Sequence, residues 1–135
     1  MKSWTEKLNS PKPHQVKPVP KDMAGMKKGQ TMLIPTAKIV DRFIRAIPEG
    51  RSTDYRALRA ALAQQYGAEV TCPITTGIFL RIVAEAAWEA YENGAGIDEI
   101  TPVWRVLDKN SPTVKKISFD PQFLYDQRQR EGLEA

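Results

Sequence analysis

The longest stretch of the chain with a helical pattern of apolar residues is residues 75–92, TTGIFLRIVAEAAWEAYE. Thr75 or Thr76 suits the N-cap position, and Asn93-Gly94 is a typical helix stop. The charged residues of this stretch, spaced four, four and three apart, form one narrow stripe: Arg81, Glu85, Glu89 and Glu92. A helix this apolar is buried on most sides. The pattern therefore predicts the central helix of a small domain, with one exposed edge.

Two shorter amphipathic helices are predicted before the central one. A short strand over residues 30–34 leads into a helix over residues 36–46, whose first threonine is its N-cap. The next helix has Ser52 or Thr53 as N-cap and extends to about Tyr66. The residues expected to face the core are Ile39, Val40, Phe43, Ile44, Ile47, Ala57, Leu58, Ala61, Leu62 and Tyr66. Helices joined by such short connections fit a helix-turn-helix arrangement.

The chain after the central helix predicts a β-hairpin and a last helix. Residues 104–107 alternate like a strand, residues 115–119 are its predicted partner, and the sequence between them is rich in turn residues. Asp120-Pro121 suits the start of a final helix, which Gly132 ends. The predicted fold class is therefore mainly α with a small β-hairpin, which is the layout of a winged-helix domain.

The N-terminal residues 1–35 differ in composition from the rest and contain five of the ten prolines. We expect an extended, basic, Pro-rich arm here and the winged-helix domain over residues 36–135. A short helix over residues 3–9 is predicted within the arm, with the remainder extended. Such an arm is either disordered or wraps the core with Trp4 and Val19 as anchors.

Charge is distributed unevenly along the chain, whose formal net charge is +4. Residues 1–30 carry seven lysines against two acidic residues, whereas residues 71–102 carry one arginine against five acidic residues. A basic N-terminal half favours a polyanion such as nucleic acid as partner. A solvated lysine-rich tail explains the same pattern without any partner.

Several classes of protein are disfavoured by the sequence. No apolar run approaches the roughly 20 residues of a membrane span, and the N-terminal residues lack the apolar segment of a signal peptide. A single cysteine excludes a disulfide within the chain. One cysteine and one histidine are also too few ligands for a typical thiolate–imidazole metal site. We therefore expect a cytoplasmic protein without membrane association, metal or cofactor.

Four short sequences together indicate a family. They are FIRAIPEGRSTDY at residues 43–55, Arg-Ile-Val-Ala at 81–84, Pro-Val-Trp-Arg-Val at 102–106 and Glu-Gly at 131–132. In order, they resemble four elements of the C-terminal DNA-binding domain of alkylguanine-DNA alkyltransferases and of their non-catalytic alkyltransferase-like relatives. The first element is a helix, a turn and a tyrosine that precede the recognition helix, and the second is the start of the recognition helix. The third is the active-site Pro-Cys-His-Arg-Val, and the fourth is the Glu-Gly that ends the last helix.

The resemblance covers residues 38–134 and has clear departures. The linker between Arg81 and Pro102 is a few residues longer than in the family. The family's Gly-Gly after the wing is missing, and the arm is unlike the domain that precedes the family's catalytic half. In order of elements, however, the resemblance implies a winged-helix DNA-binding fold.

The aligned active site lacks the family's chemistry. Alkyl transfer in the family needs a thiolate, a histidine that relays its proton and a glutamate that orients the histidine. Val103 stands at the cysteine position and Trp104 at the histidine position, so Glu131 has nothing to orient. The catalytic set is therefore predicted to be empty, and the chain is not expected to be an enzyme. Cys72, just before the central helix, is an alternative nucleophile, although a buried structural cysteine explains it better.

The remaining matches suit DNA binding. The resemblance gives Tyr55 a role in turning a nucleotide out of the duplex, Arg81 the role of filling the gap, and Trp104 a surface for the extruded base. The full set of expected DNA-binding residues is Tyr55, Thr76, Gly77, Arg81, Trp104, Arg105, Lys115 and Lys116.

Each expected DNA-binding residue also has a structural explanation. Tyr55 and Trp104 are also typical core residues. Lys115 and Lys116 are also typical of a wing that is exposed to solvent and binds nothing. Arg81 is spaced to pair with Glu85, and Arg105 suits hydrogen bonds to carbonyl groups that fix the hairpin. Acidic residues crowd the end of the central helix and the chain after it, so only the start of that helix is expected to meet phosphates.

Three hypotheses remain open from the sequence. The first is a non-enzymatic, alkyltransferase-like protein that binds duplex DNA, with a preference for alkylated guanine, and has a protein partner in repair. The second is a protein-interaction module on the same fold that does not bind DNA, and the third is an enzyme that acts through Cys72.

Overall fold

A computed structural model describes residues 2–135, which fold into five α-helices and a three-stranded sheet. The prediction of a mainly helical protein is confirmed. Two 3-10 turns, at Val103–Arg105 and Pro112–Lys115, lie between the last two helices. In chain order the elements are α1 Trp4–Leu8, β1 Gln15–Pro18, β2 Thr31–Ile34, α2 Ala37–Arg45, α3 Tyr55–Gln65, β3 Val70–Thr71, α4 Pro73–Glu92 and α5 Gln122–Arg130.

Helix α4 is the central helix, as the apolar pattern predicts. It begins earlier than expected, because Pro73 occupies the first helical position and Cys72 the N-cap position. The helix packs against α1 and α2. Its buried residues are Thr76, Leu80, Val83, Ala84, Glu85, Ala86 and Ala87. The prediction of an exposed charged edge is wrong for Glu85, which is only 1% exposed.

Helices α2 and α3 form close to where the pattern places them. The Thr36 side chain caps α2, as predicted, by accepting a hydrogen bond from the Ile39 amide. The N-cap of α3 is Asp54, whose carboxylate accepts from the Ala57 amide. Ala57 itself is exposed, so its expected place in the core is wrong. The core side of α3 consists of Leu58, Leu62 and Ala63.

The arm is ordered and contributes two strands to the sheet. Strand β1 pairs antiparallel with β2, and β2 pairs parallel with β3. Val19, an expected anchor, is buried in a small second core with Met26, Met32 and Cys72. Of the two alternatives open for the arm, the structure therefore shows the one in which it wraps the domain.

The hairpin predicted over residues 104–107 and 115–119 is wrong, because neither segment is a strand. The first segment begins within the 3-10 turn Val103–Arg105, and the second begins at the last residue of the 3-10 turn Pro112–Lys115. A strand with one solvated face needs every second residue exposed. Val103, Trp104, Val106 and Leu107 are all buried, and they belong to the main core. Burial on all sides favours a compact turn here. The antiparallel strand pair that does occur in the described chain lies in the arm.

The last helix ends as the sequence predicts. Glu131 is the C-cap of α5, and Gly132 has a positive φ of 77° that favours glycine. Pro121, rather than Asp120, occupies the N-cap position.

The helices and the potential metal ligands of residues 2–135 bear on membrane and metal binding. None of the helices has both the length and the apolar character needed to cross a membrane. No three His, Cys, Asp or Glu side chains in the same range lie together as metal ligands would.

Candidate functional site

A cleft of about 740 Å³ lies at the N-terminal half of α4. Its walls come from α1, the start of α3, α4 and the second 3-10 turn. The lining residues that carry charge are Lys7, Arg81 and Lys116, and no carboxylate lines the cleft. The rest of the lining is mainly apolar and includes Ile74 and Ile78, which are 54% and 55% exposed. The cleft is therefore apolar with a cationic rim.

Four of the predicted binding residues meet in this cleft: Tyr55, Gly77, Arg81 and Lys116. The Tyr55 hydroxyl donates a hydrogen bond to the Pro73 carbonyl oxygen. A Cβ atom on Gly77 would lie 3.4 Å from this hydroxyl oxygen, so the missing side chain gives the phenol room against α4. Partial burial raises the pKa of Tyr55, which keeps the hydroxyl protonated as a donor.

Arg81 is fixed at the wall of the cleft by two neighbours. Its Nη2 atom lies 3.5 Å from Glu85 Oε2, and its guanidinium lies 5.3 Å from the ring centre of Trp4. The side chain is nevertheless 39% exposed. The pairing with Glu85 that the spacing suggests is therefore present, and it leaves part of the guanidinium open to the cleft.

Three other predicted binding residues lie away from the cleft in buried or internal positions. Thr76 is fully buried, and its hydroxyl donates to the Cys72 carbonyl oxygen over 2.6 Å. Trp104 is buried in the core, so its predicted role as an open aromatic surface is wrong. Arg105 contacts Glu131 and the Ile47 carbonyl. Their polar atoms are used to stabilise the fold. An eighth predicted residue, Lys115, is exposed but does not line the cleft.

Glu131 is the centre of a partly buried polar network. It accepts from Trp104 Nε1 at 2.6 Å, from the Gly50 amide at 2.9 Å and from both Nε and Nη2 of Arg105 at 3.0 Å. Arg105 also donates from Nη1 to the Ile47 carbonyl over 2.7 Å. The expectation that Glu131 has nothing to orient is wrong, because its carboxylate fixes the Trp104 indole.

The pKa of Glu131 makes this network sensitive to acid. Burial opposes ionisation of its carboxyl, but hydrogen bonds from Arg105, Gly50 and Trp104 outweigh burial and lower the pKa below 4.5. A lowered folded-state pKa contributes stability above pH 4.5, and that stability is lost as the pH falls through the folded value. We expect Glu131→Gln to be less stable than the wild type at pH 7.

This difference in the free energy of unfolding between the wild type and Glu131→Gln should shrink as the pH falls below 4.5. Urea unfolding at several pH values measures it. A difference that is constant from pH 7 to pH 3 would contradict the assignment of Glu131 as the titrating group.

Neither residue considered for covalent chemistry reaches the cleft. Val103 is fully buried and does not line it. Cys72 is buried in the second core among methionine and valine side chains. A thiol in such surroundings is typical of a structural cysteine.

Among the cleft residues that the sequence did not assign to a binding site are Trp4, Lys7, Ile74 and Ile78. The two isoleucines share a face of α4 with Arg81, from which Ile78 is three and Ile74 seven residues away. The same spacing is typical of a buried helix face, so the sequence alone does not show that these two side chains are exposed. Trp4 and Lys7 reach the cleft only because α1 docks on α4, which no local pattern indicates.

Comparison with protein-family models, with curated proteins and with solved structures finds no match to this chain.

Proposed function

We propose that this protein is a non-catalytic, alkyltransferase-like DNA-binding domain that favours duplexes containing alkylated guanine. In this proposal α3, β3 and α4 act as the helix-turn-helix of a winged-helix-like domain, with the 3-10 turn at Pro112–Lys115 in the place of the wing. The observation that carries the proposal is the cleft. It combines Tyr55, Gly77, Arg81 and Lys116 with an apolar lining that has no carboxylate.

The size and chemistry of the cleft suit an extruded nucleobase. Its volume of about 740 Å³ lies within the range of about 300–1,000 Å³ typical of small-molecule pockets. Tyr55 and Trp4 supply aromatic surface, and Lys7, Arg81 and Lys116 supply positive charge for phosphates. A damaged base costs less to unstack than an intact one, which favours alkylated guanine.

The surface around the cleft supports contact between DNA and the start of α4. The N-terminal end of this 20-residue helix carries the positive end of the helix dipole. Ile74 and Ile78 project from the same part of the helix and are more than half exposed. Apolar side chains in this position are typical of proteins that wedge between base steps in the minor groove. Glu92, Asp98 and Glu99 lie at or beyond the opposite end of α4, so repulsion orients the DNA toward the cleft.

Covalent alkyl transfer is not part of the proposal. Val103, at the position of the family's nucleophile, has no lone pair, and the Trp104 indole is a donor that cannot act as a base. The proposed activity is therefore recognition, with recruitment of a protein partner in repair as the consequence.

Fluorescence anisotropy with plain and alkylguanine duplexes tests this function. We expect salt-dependent binding, tighter to the alkylated duplex, and several-fold weaker binding by Arg81→Ala, with a salt slope smaller by about 1. Arg130→Ala is the matched control, because Arg130 is exposed on α5 and does not line the cleft. No binding by the wild-type chain at low salt would exclude the function. Equal losses in both variants would show that the cleft is not the binding site.

A protein partner at the same cleft is the second candidate function. It is favoured by Ile74 and Ile78, which are an exposed apolar pair on one face of α4. The charged stripe that first suggested a protein interface is partly covered, since Glu85 is buried and Glu89 contacts α1. Light scattering that shows oligomers, combined with no retention on heparin, would favour this function over DNA binding.

A further inference from the structure

Helix α1 is attached to the central helix through the Glu89 carboxylate. Glu89 accepts hydrogen bonds from the Trp4 amide at 3.2 Å, the Thr5 amide at 3.1 Å and the Thr5 hydroxyl at 2.7 Å. The Ser3 and Glu6 side chains form a capping box around the same helix start. The two helices are therefore joined at one defined point, two turns along α4 from Arg81.

This attachment places Trp4 against the arginine of the cleft. The Arg81 guanidinium lies 5.3 Å from the ring centre of Trp4, and Lys7 Nζ lies 4.3 Å from it. A cation at these distances is attracted to the π-face of an indole. Trp4 and Glu85 together fix the direction of the Arg81 side chain, and Lys7 extends the cationic rim of the cleft from α1.

We propose that α1 is part of the DNA-binding site, with Glu89 and Trp4 as positioning residues for Arg81 and with Lys7 as a phosphate contact. This inference rests on the proposed DNA-binding function and adds that the cleft is incomplete without the arm. Undocking of α1 removes Lys7 from the rim and frees Arg81 to turn away. The ligand loses two cationic contacts, although no residue of α2–α5 has changed.

Two carboxylates on α4 distinguish this role from general electrostatics. Glu89 and Glu92 lie within one turn of each other, and Glu92 is exposed. Replacing either with alanine removes one negative charge and adds the same helix-favouring residue. If these carboxylates acted only by repelling phosphates, both variants would bind DNA slightly more tightly, because each has lost one repelling charge. Loss of the α1 attachment predicts weaker binding for Glu89→Ala only.

Anisotropy titrations of the full chain with a duplex at several salt concentrations provide the test. We expect Glu89→Ala to bind at least about fivefold more weakly, with a salt slope reduced by about 1–2. Glu92→Ala should bind as tightly as the wild type or slightly more tightly. If Glu89→Ala binds as tightly as Glu92→Ala, the role of α1 is overturned. Binding that is tighter in Glu89→Ala alone would show that α1 covers the site, which also overturns the inference.

Trp4 offers an independent pair of variants outside the core. Trp4→Phe retains an aromatic face for Arg81 and should keep most of the affinity, whereas Trp4→Leu retains apolar area without the π-face and should lose it. Equal affinities for these two variants would exclude positioning through the ring. If the wild-type chain itself does not bind the duplex, the proposed function fails. If it binds and all four variants bind equally well, only the inference about α1 fails.

Discussion

Arg105→Ala is expected to lower the free energy of unfolding by about 2–4 kcal/mol, because it breaks a largely buried ion pair and several charged hydrogen bonds. Arg105 Nη2 lies 3.0 Å from Glu131 Oε2, and the Glu131 side chain is only 7% exposed. Without the guanidinium, the carboxylate remains buried with too few donors, and the Ile47 carbonyl loses its partner. The network joins α5, the first 3-10 turn and the turn after α2, so its loss loosens all three.

Urea unfolding at pH 7 measures this effect, with Arg45→Ala as the control. Arg45 forms an i,i+4 ion pair with Asp41 at 3.0 Å, but its side chain is 47% exposed. Exposed pairs of this kind contribute less than about 1 kcal/mol. Comparable losses in the two variants would contradict the view that burial makes the Arg105–Glu131 pair important.

Glu85→Ala is the second substitution with a large expected effect, a loss of about 2–4 kcal/mol. Glu85 is 1% exposed and accepts from the Ser118 amide at 2.9 Å and the Ser118 hydroxyl at 2.6 Å. Its removal leaves a cavity and an unpaired backbone amide where the segment before α5 crosses α4. Arg81 loses its carboxylate partner at the same time, so under the proposed function the affinity for DNA should change together with stability.

Glu92→Ala is the matched control for Glu85→Ala, because both remove a glutamate from α4. Glu92 is exposed, and surface substitutions of this kind usually change stability by less than about 0.5 kcal/mol. The urea midpoints of the two variants should therefore differ clearly. If both remain at the wild-type midpoint, the buried Glu85–Ser118 contact does not stabilise the fold.

The helices were predictable because their signals are local. Apolar spacing identified α2, α3 and α4, and Thr36, Gly94 and Gly132 marked helix ends through capping and positive φ. Such signals depend on residues three or four positions apart and need no knowledge of the rest of the chain. The departures are correspondingly small, such as Asp54 in place of Ser52 or Thr53 as the N-cap of α3.

The segment after α4 was not predictable because its conformation depends on what surrounds it. Residues 103–107 alternate partly in polarity, which is also typical of a strand. In the structure, the apolar residues on both sides of Arg105 are buried, and Arg105 itself points into the network of Glu131. Whether a short apolar segment is a strand or a turn depends on whether a partner strand is available, and here the segment packs on α5 instead.

By itself, the sequence determined the number and approximate limits of the main helices, the central place of α4 and the absence of a nucleophile at Val103. It also suggested four of the residues that meet in the cleft: Tyr55, Gly77, Arg81 and Lys116. Only the tertiary structure decided that Trp104 belongs to the core and that Trp4, which is 77 residues away from Arg81 in the sequence, lies beside it instead. The physical reason is that helix periodicity depends on neighbouring residues, whereas the charged residues of α4 bind groups from segments that are distant in the sequence. Ser118 covers Glu85, and α1 covers Glu89.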